Sequence, residues 1–396
     1  MALLSRDVYE TRLAAMRALM DAHELEALAL LTPGWLFFAT NYPELHLAPW
    51  ERPVAVVVPR EGAPFALLHE LSSGALADSL RRGVMWVSDV TIYGEHPRVV
   101  DRVPLAPQWR ETMADLLRAH GLGRGAIGVD ALAGPLADVP RLLPRLELIS
   151  IGAELRELRL VKHPEELDAM RAGAALSDWA QERYREGIRP GRLVTELDWS
   201  MGAAIMEEAA RRHPGEHVEL YLATLAGEAS ASPHGAGMRT DARIERGDVV
   251  VNIVCVRVNG LWVENERTWF CGAPDDVQRR AFEAATEAMQ AGVAVCRTGE
   301  PVCGIDAAAA AVYERTGHAR FVRTRTGHGI GIEGHEFPHD MAFNTRPLRA
   351  NEVYTVEPGI YLPGVGGFRQ DDTVVIGDEP EVLTTTPLEL DWLTLA

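Results

Sequence analysis

Four short stretches in the second half of the chain gather histidines and carboxylates among glycines. SPHGAG (232–237) carries His234, and the run GLWVENERTWF (260–270) carries Glu264 and Glu266. TGHGIGIEGHEFP (326–338) carries His328 and His335, and TVEPGIYLPGVGGFRQDDTV (355–374) carries Glu357, Tyr361, Arg369 and Asp371. A histidine changes charge near physiological pH and can move a proton. Clustered carboxylates hold a cation, whether a divalent metal ion or a charged group of a substrate. Each stretch alone reads as a turn. Two histidines among Gly327, Gly329, Gly331 and Gly334 are nevertheless unusual for a packed core, because glycines let backbone approach a ligand closely.

The elements that must position these residues are legible around them. Gly247-Asp248 makes a turn, Val249-Val250-Val251 is β-branched, and Asn259-Gly260 is a two-residue hairpin signal, so 249–258 and 261–270 read as a β-hairpin. Strand-like runs recur at 351–357 and 372–377, and helical patterns at 164–186, 194–212, 275–296 and 304–317. Helices with antiparallel strands make this part α+β. Earlier in the chain, strand patterns at 53–59, 63–68, 83–90, 125–130 and 145–151 alternate with helical ones, including 108–120, which indicates an α/β domain. The division falls near residue 155, giving domains 1–155 and 156–396.

At 396 residues the chain is long enough for two domains with sizeable cores. Its formal net charge of −18 argues against nucleic acid or an anionic membrane as partner, since both need basic patches. Cys255, Cys271, Cys296 and Cys303 lack zinc-site spacing and read as buried free thiols of a reducing compartment. The amphipathic, charged N-terminus lacks the apolar core of a signal peptide, and no segment reaches a membrane span of about 20 residues. A cytoplasmic protein is expected.

Together, in this order and spacing, the four stretches resemble the pita-bread superfamily of methionine aminopeptidase, aminopeptidase P, prolidase and creatinase. The resemblance covers about residues 160–390, and the first domain is similar to the one that precedes it in prolidases and creatinases. It implies an α/β N-terminal domain followed by an α+β pita-bread catalytic domain. In metal-dependent members, two aspartates, a histidine and two glutamates hold two divalent ions, with a water between them as nucleophile. The resemblance carries this pattern onto His328, Glu357 and Asp371, the last standing where the family has glutamate. It also implies that His335 binds substrate and that Tyr361 and Arg369 line the pocket.

The hairpin departs from the pattern. Aligned from Gly247-Asp248 to Arg267-Thr268, the first aspartate falls on Ile253 and the second on Glu264. Isoleucine binds no metal, whereas Glu266 adds a carboxylate in the manner of creatinase, the member that works without metal. The implied reading is a metal-independent, creatinase-like hydrolase of a C–N bond in a small amidine or amide that carries a carboxylate. His234 would shuttle the proton, Glu266 and Glu357 would hold the substrate's cationic group, and no cofactor would be needed. His234 sits two residues further upstream of the hairpin than the family spacing. Trp50 and Arg52 would clamp the substrate carboxylate from a partner subunit, which implies a homodimer. His339 stands where creatinase has an arginine, against creatine itself as substrate. The alternatives are an Xaa-Pro dipeptidase or aminopeptidase with one residual ion on Glu264, His328, Glu357 and Asp371, and a binding protein without catalysis.

Overall fold

The computed structural model describes residues 4–42, 51–94, 104–234 and 240–395. The chain divides into two compact units, Met1–Arg159 and Leu160–Ala396.

The first unit is built on strands β1 (Ala27–Leu30), β2 (Ala55–Pro59), β3 (Phe65–His69), β4 (Asp89–Tyr93), β5 (Arg124–Val129) and β6 (Arg145–Ser150). They form one mixed sheet in the order β4-β3-β2-β1-β5-β6, with β2 antiparallel to both its neighbours and the other pairs parallel. Helices α1 (Arg6–Ala22), α2 (Pro33–Thr40), α3 (Ser73–Arg82), α4 (Leu105–Ala119) and α5 (Gly152–Glu157) accompany it. Ala29, Val57, Leu67 and Ile127 from the sheet pack with Trp109, Met113 and Leu117 of α4 in a continuous core. One expected strand is displaced. The run 83–90 pairs only from Asp89, because Gly83 ends α3 in the left-handed conformation and the next residues bond elsewhere, Val84 N–H to Ser79 and Trp86 N–H to Thr40. Val84 to Val87 fill the core without joining the sheet. The sequence division at 155 falls inside α5.

The second unit begins with α6 (Pro164–Gly187) and α7 (Val194–Arg212), and continues with β7 (Val218–Ala226), β8 (Val249–Val258) and β9 (Leu261–Cys271). Helices α8 (Asp276–Ala294) and α9 (Val302–Thr316) precede β10 (Val353–Val356), β11 (Gly359–Leu362), β12 (Gly366–Arg369) and β13 (Asp371–Val375). The main sheet runs β10-β13-β9-β8-β7, all antiparallel, and β11 pairs with β12. The hairpin turn carries positive φ at both Asn259 (50°) and Gly260 (85°), the geometry an Asn-Gly pair favours. Pro164 opens α6 behind a capping box in which His163 Nδ1 accepts from Glu165 N–H and Glu166 accepts from His163 N–H.

Alternation along the hairpin decides which residues face α6 and which face away. Asn252 and Asn265 meet the helix: Asn252 donates to Gln181 Oε1, Gln181 donates to the Asn265 carbonyl, and Asn265 donates to Ser177. With these polar groups satisfied beneath the sheet, Ile253, Cys255, Glu264 and Glu266 project from the opposite face.

Candidate active site

That opposite face floors a cavity of about 660 Å³. Its register puts Ile253 against Glu266 and Cys255 against Glu264, with Asp371 of β13 beyond Glu266 and Tyr221 of β7 beyond Cys255. His234, Trp262, Thr324, Arg325, His335, Glu357 and Arg369 complete the lining. The structure therefore assembles His234, Glu264, Glu266, His335, Glu357 and Arg369 around one space. Trp50 lies outside the described residues. Arg52, in the first unit, pairs with Glu51 at 3.0 Å.

The histidine loop is brought in by close backbone approach. Thr355 N–H donates to the His328 carbonyl and Glu357 N–H to that of Thr326. A Cβ on Gly327 would lie 2.0 Å from the Thr355 carbonyl oxygen, and one on Gly329 would lie 2.4 Å from that of Phe337. These two glycines serve the loop's contact with its own neighbours, not with a ligand.

Glu264, Glu266 and Glu357 each offer a carboxylate oxygen within 4.8 Å of the others. His328 is fully buried, and its Nδ1 lies 2.9 Å from the Gly329 carbonyl. A carbonyl only accepts, so Nδ1 carries the proton and Nε2 presents a lone pair. That lone pair lies 3.3 Å from Glu357 Oε1 and 3.7 Å from Glu264 Oε2, and it has no hydrogen-bond partner. Burial drives the His328 pKa down to about 4, so the ring stays neutral and cannot neutralise the acids. Asp371 is also buried, with both oxygens unpartnered. Burial raises Glu264, Glu357 and Asp371 above the ordinary carboxylate range, and mutual repulsion adds to the shifts of Glu264 and Asp371. Acceptors converging on acceptors in a buried space are relieved either by protonation of a carboxyl or by a cation between them. Glu264 and Glu357, with the His328 Nε2 lone pair beside both, are donors suited to one hard divalent ion, and Asp371 stands on the adjacent strand opposite Glu266.

Glu266 is occupied differently. Arg369 holds it in an ion pair, with Nη2 donating to Oε1 at 2.7 Å and Nε close to Oε2, while Nη1 reaches Tyr361 Oη at 3.3 Å and the Pro233 carbonyl at 3.1 Å. Burial pushes Glu266 up, to about 7, against the pull of this guanidinium. Glu266 and Arg369 line the cavity as a pair, with Tyr361 bonded behind Arg369.

His335 stacks on His328 with ring centroids 3.8 Å apart, and its Nδ1 lies 2.8 Å from Arg325 Nη2. A guanidinium only donates, so His335 Nδ1 accepts and Nε2 carries hydrogen. Burial, His328 and Arg325 lower its pKa to about 4. His234 is also pushed down, by partial burial and by the charges of Arg369 and Arg325.

The family profile of metallopeptidase family M24 matches residues 168–378, and that of the creatinase/prolidase N-terminal domain matches 12–161. The chain belongs to metallopeptidase family M24. It is 31% identical to the probable dipeptidase PepE of Mycobacterium tuberculosis over 97% of this chain and 96% of that one. It is likewise 31% identical to the Xaa-Pro dipeptidase of Pyrococcus furiosus, over 62% of this chain and 68% of the relative. Among solved structures it is similar to dipeptidase PepE from Mycobacterium ulcerans, with a TM-score of 0.80, 27% identity and 99% of each chain covered.

Membership in M24 makes the chain a hydrolase acting on C–N bonds. It overturns the metal-independent, creatinase-like reading, because a relative along the full length is named a probable dipeptidase, another along 62% of the chain an Xaa-Pro dipeptidase, and the family is one of metallopeptidases. It gives no support to the expectation that no cofactor is needed, and the single divalent ion of the alternative reading is compatible with it. The physical reason lies in the hairpin: Glu266, taken from the sequence as a holder of substrate charge, is held by Arg369. Tyr221, Cys255, Trp262, Thr324 and Arg325 line the cavity without having been singled out in the sequence. The first two follow from strand register, since Tyr221, Cys255 and Glu264 share one row. Among the described residues, no helix is long and apolar enough to cross a membrane.

Proposed function

We propose that the chain is a dipeptidase that uses a single divalent ion held by His328, Glu264, Glu357 and Asp371. The observation that carries this reading is the buried, unpartnered His328 Nε2 facing two carboxylates. The names of the full-length relatives support the substrate class. A divalent ion at such a site supplies Lewis-acid polarisation of a carbonyl and acidifies a bound water.

The chain's own residues supply the rest. His335 Nε2–H is a fixed donor for negative charge developing on the scissile carbonyl oxygen. His234, neutral at pH 7, takes a proton and returns it to the departing amine. Ile253 and Trp262 give the cavity an apolar wall against which a substrate side chain can rest. Association as a homodimer and residence in the cytoplasm, which the four free cysteines suit, belong to the same reading.

Chromatographic assay of leucyl-proline and leucyl-leucine, with and without a chelator, tests the reading. Release of free amino acids that stops with the chelator and resumes with a divalent ion is expected. No cleavage of any dipeptide by metal-loaded protein would reject it.

A further inference from the structure

Of the 39 lysines and arginines in the chain, one is a lysine, Lys162. A sequence that meets every other basic position with arginine keeps lysine here, and the surroundings show why. Lys162 Nζ lies 3.2 Å from Oε2 of Glu336, with 4% of each side chain exposed. The ammonium also donates to the Leu160 carbonyl at 3.3 Å. Gly331 covers the pair so closely that a Cβ there would lie 2.9 Å from both Lys162 Cε and Glu336 Oε2. A compact ammonium on a slim stem suits so closed a space better than a broad planar guanidinium.

Glu336 follows His335 directly and clasps the histidine loop. Its N–H donates to the Gly329 carbonyl at 2.7 Å, and its Oε1 accepts from Glu333 N–H at 3.2 Å. Gly331 N–H reaches the Glu333 carbonyl at 3.1 Å, so the turn is closed on itself around this carboxylate. Lys162 stands on a firm base. Its own N–H donates to the Asn351 carbonyl at 2.9 Å, and Val161 bridges to Glu352, which Arg346 and Arg349 hold. Glu336 is thus fixed inward, while His335 beside it is open to the cavity and stacked on His328.

We propose that Lys162 is a positioning residue for His335: paired with Glu336, it holds the loop so that His335 Nε2–H faces the reacting carbonyl. The proposal rests on the dipeptidase reading for what His335 does, and adds what aims it. A purely structural ion pair would stabilise the fold without any special link to His335, so the two roles separate in experiment.

The test is a double-mutant cycle between Lys162→Met and His335→Ala. It is read as kcat and KM on leucyl-leucine, with bound metal measured on each sample. The imidazole NMR signal of His335 is recorded in parallel on metal-free, histidine-labelled protein and assigned by its loss in His335→Ala. Lys162→Met is expected to lower kcat about 10²-fold, the scale of a misplacement of about 1 Å, with KM and metal content unchanged. It should also shift the His335 signal, because the stack on His328 tilts. In the His335→Ala background the same substitution should cost nothing further, since both changes act through one donor. Equal losses of kcat in the two backgrounds, loss of the bound ion, or an unshifted His335 signal overturns the proposal. If Lys162→Met does not fold, Glu336→Gln takes its place in the same cycle, keeping the shape while removing the charge, with the same expectations. If the wild type cleaves no dipeptide, the dipeptidase reading falls, and the His335 signal alone decides whether Lys162 positions that ring.

Discussion

Ile253 and Glu266 are direct cross-strand partners on the cavity face of the β8–β9 hairpin. An apolar side chain thus stands where a second cation would need a carboxylate, and the carboxylate beside it is turned to Arg369. Ile253→Asp should raise the divalent metal bound per chain from one toward two, read by elemental analysis after gel filtration. Unchanged stoichiometry would show that this position does not limit the metal count.

The Glu266–Arg369 pair is buried on both sides, with 1% and 2% of the side chains exposed. Removing one member of such a pair costs about 3–5 kcal/mol, because the other is left charged and unpartnered. Arg369→Met should therefore lower stability by about that much in urea unfolding. Adding Glu266→Leu should restore most of the loss. If the double variant is no more stable than the single one, the pair is not what Arg369 contributes.

His335→Ala should lower kcat on a dipeptide by about 10²–10³-fold, the usual effect of losing one donor to a developing oxyanion. Metal content should not change, because His335 only stacks on the ligand His328. Loss of metal together with activity would make His335 part of the ion's own coordination.

Much of this site was legible in the sequence because its signals are local. Asn259-Gly260 dictated the hairpin, and the hairpin's alternation then placed Ile253, Glu264 and Glu266 on one face. Other features depend on contacts that no local pattern records. Glu266 and Arg369 lie 103 residues apart, and their pairing is a matter of side-chain direction across β9, β12 and β13. Arg325 precedes the glycine-rich loop without any periodic signal, and only the stacking of His335 on His328 brings that ring beside it. The apolar run at 83–90 misled because burial alone does not make a strand, and Gly83 directs the chain back toward α3. Strand β7 was missed although VELYLATLA alternates partly as a strand should.

Acid should attack the fold at Glu352. This carboxylate is fully buried and takes both Nη groups of Arg346 (2.8 and 2.9 Å), Arg349 Nε (2.8 Å) and Tyr354 Oη (2.8 Å). Burial pushes its carboxyl up, but the Arg346 and Arg349 contacts outweigh that and hold it below the ordinary range. A depressed carboxyl stabilises the fold at pH values above its unfolded pKa of about 4.3, and the benefit is lost as pH falls through the lower folded value. Wild type should therefore melt above Glu352→Gln at pH 7, and the gap should close as pH drops below about 4. A gap that stays constant down to pH 2 would mean that the charge of Glu352 contributes nothing.

The single-ion site is tested most directly by titrating a divalent metal back into chelator-stripped protein while following dipeptide hydrolysis and bound metal on the same sample. Activity should be absent in the stripped protein, rise linearly and reach its plateau at one manganese per chain, with His328→Ala binding none. Full activity without metal, or a plateau only at two ions per chain, would contradict a site built on His328, Glu264, Glu357 and Asp371.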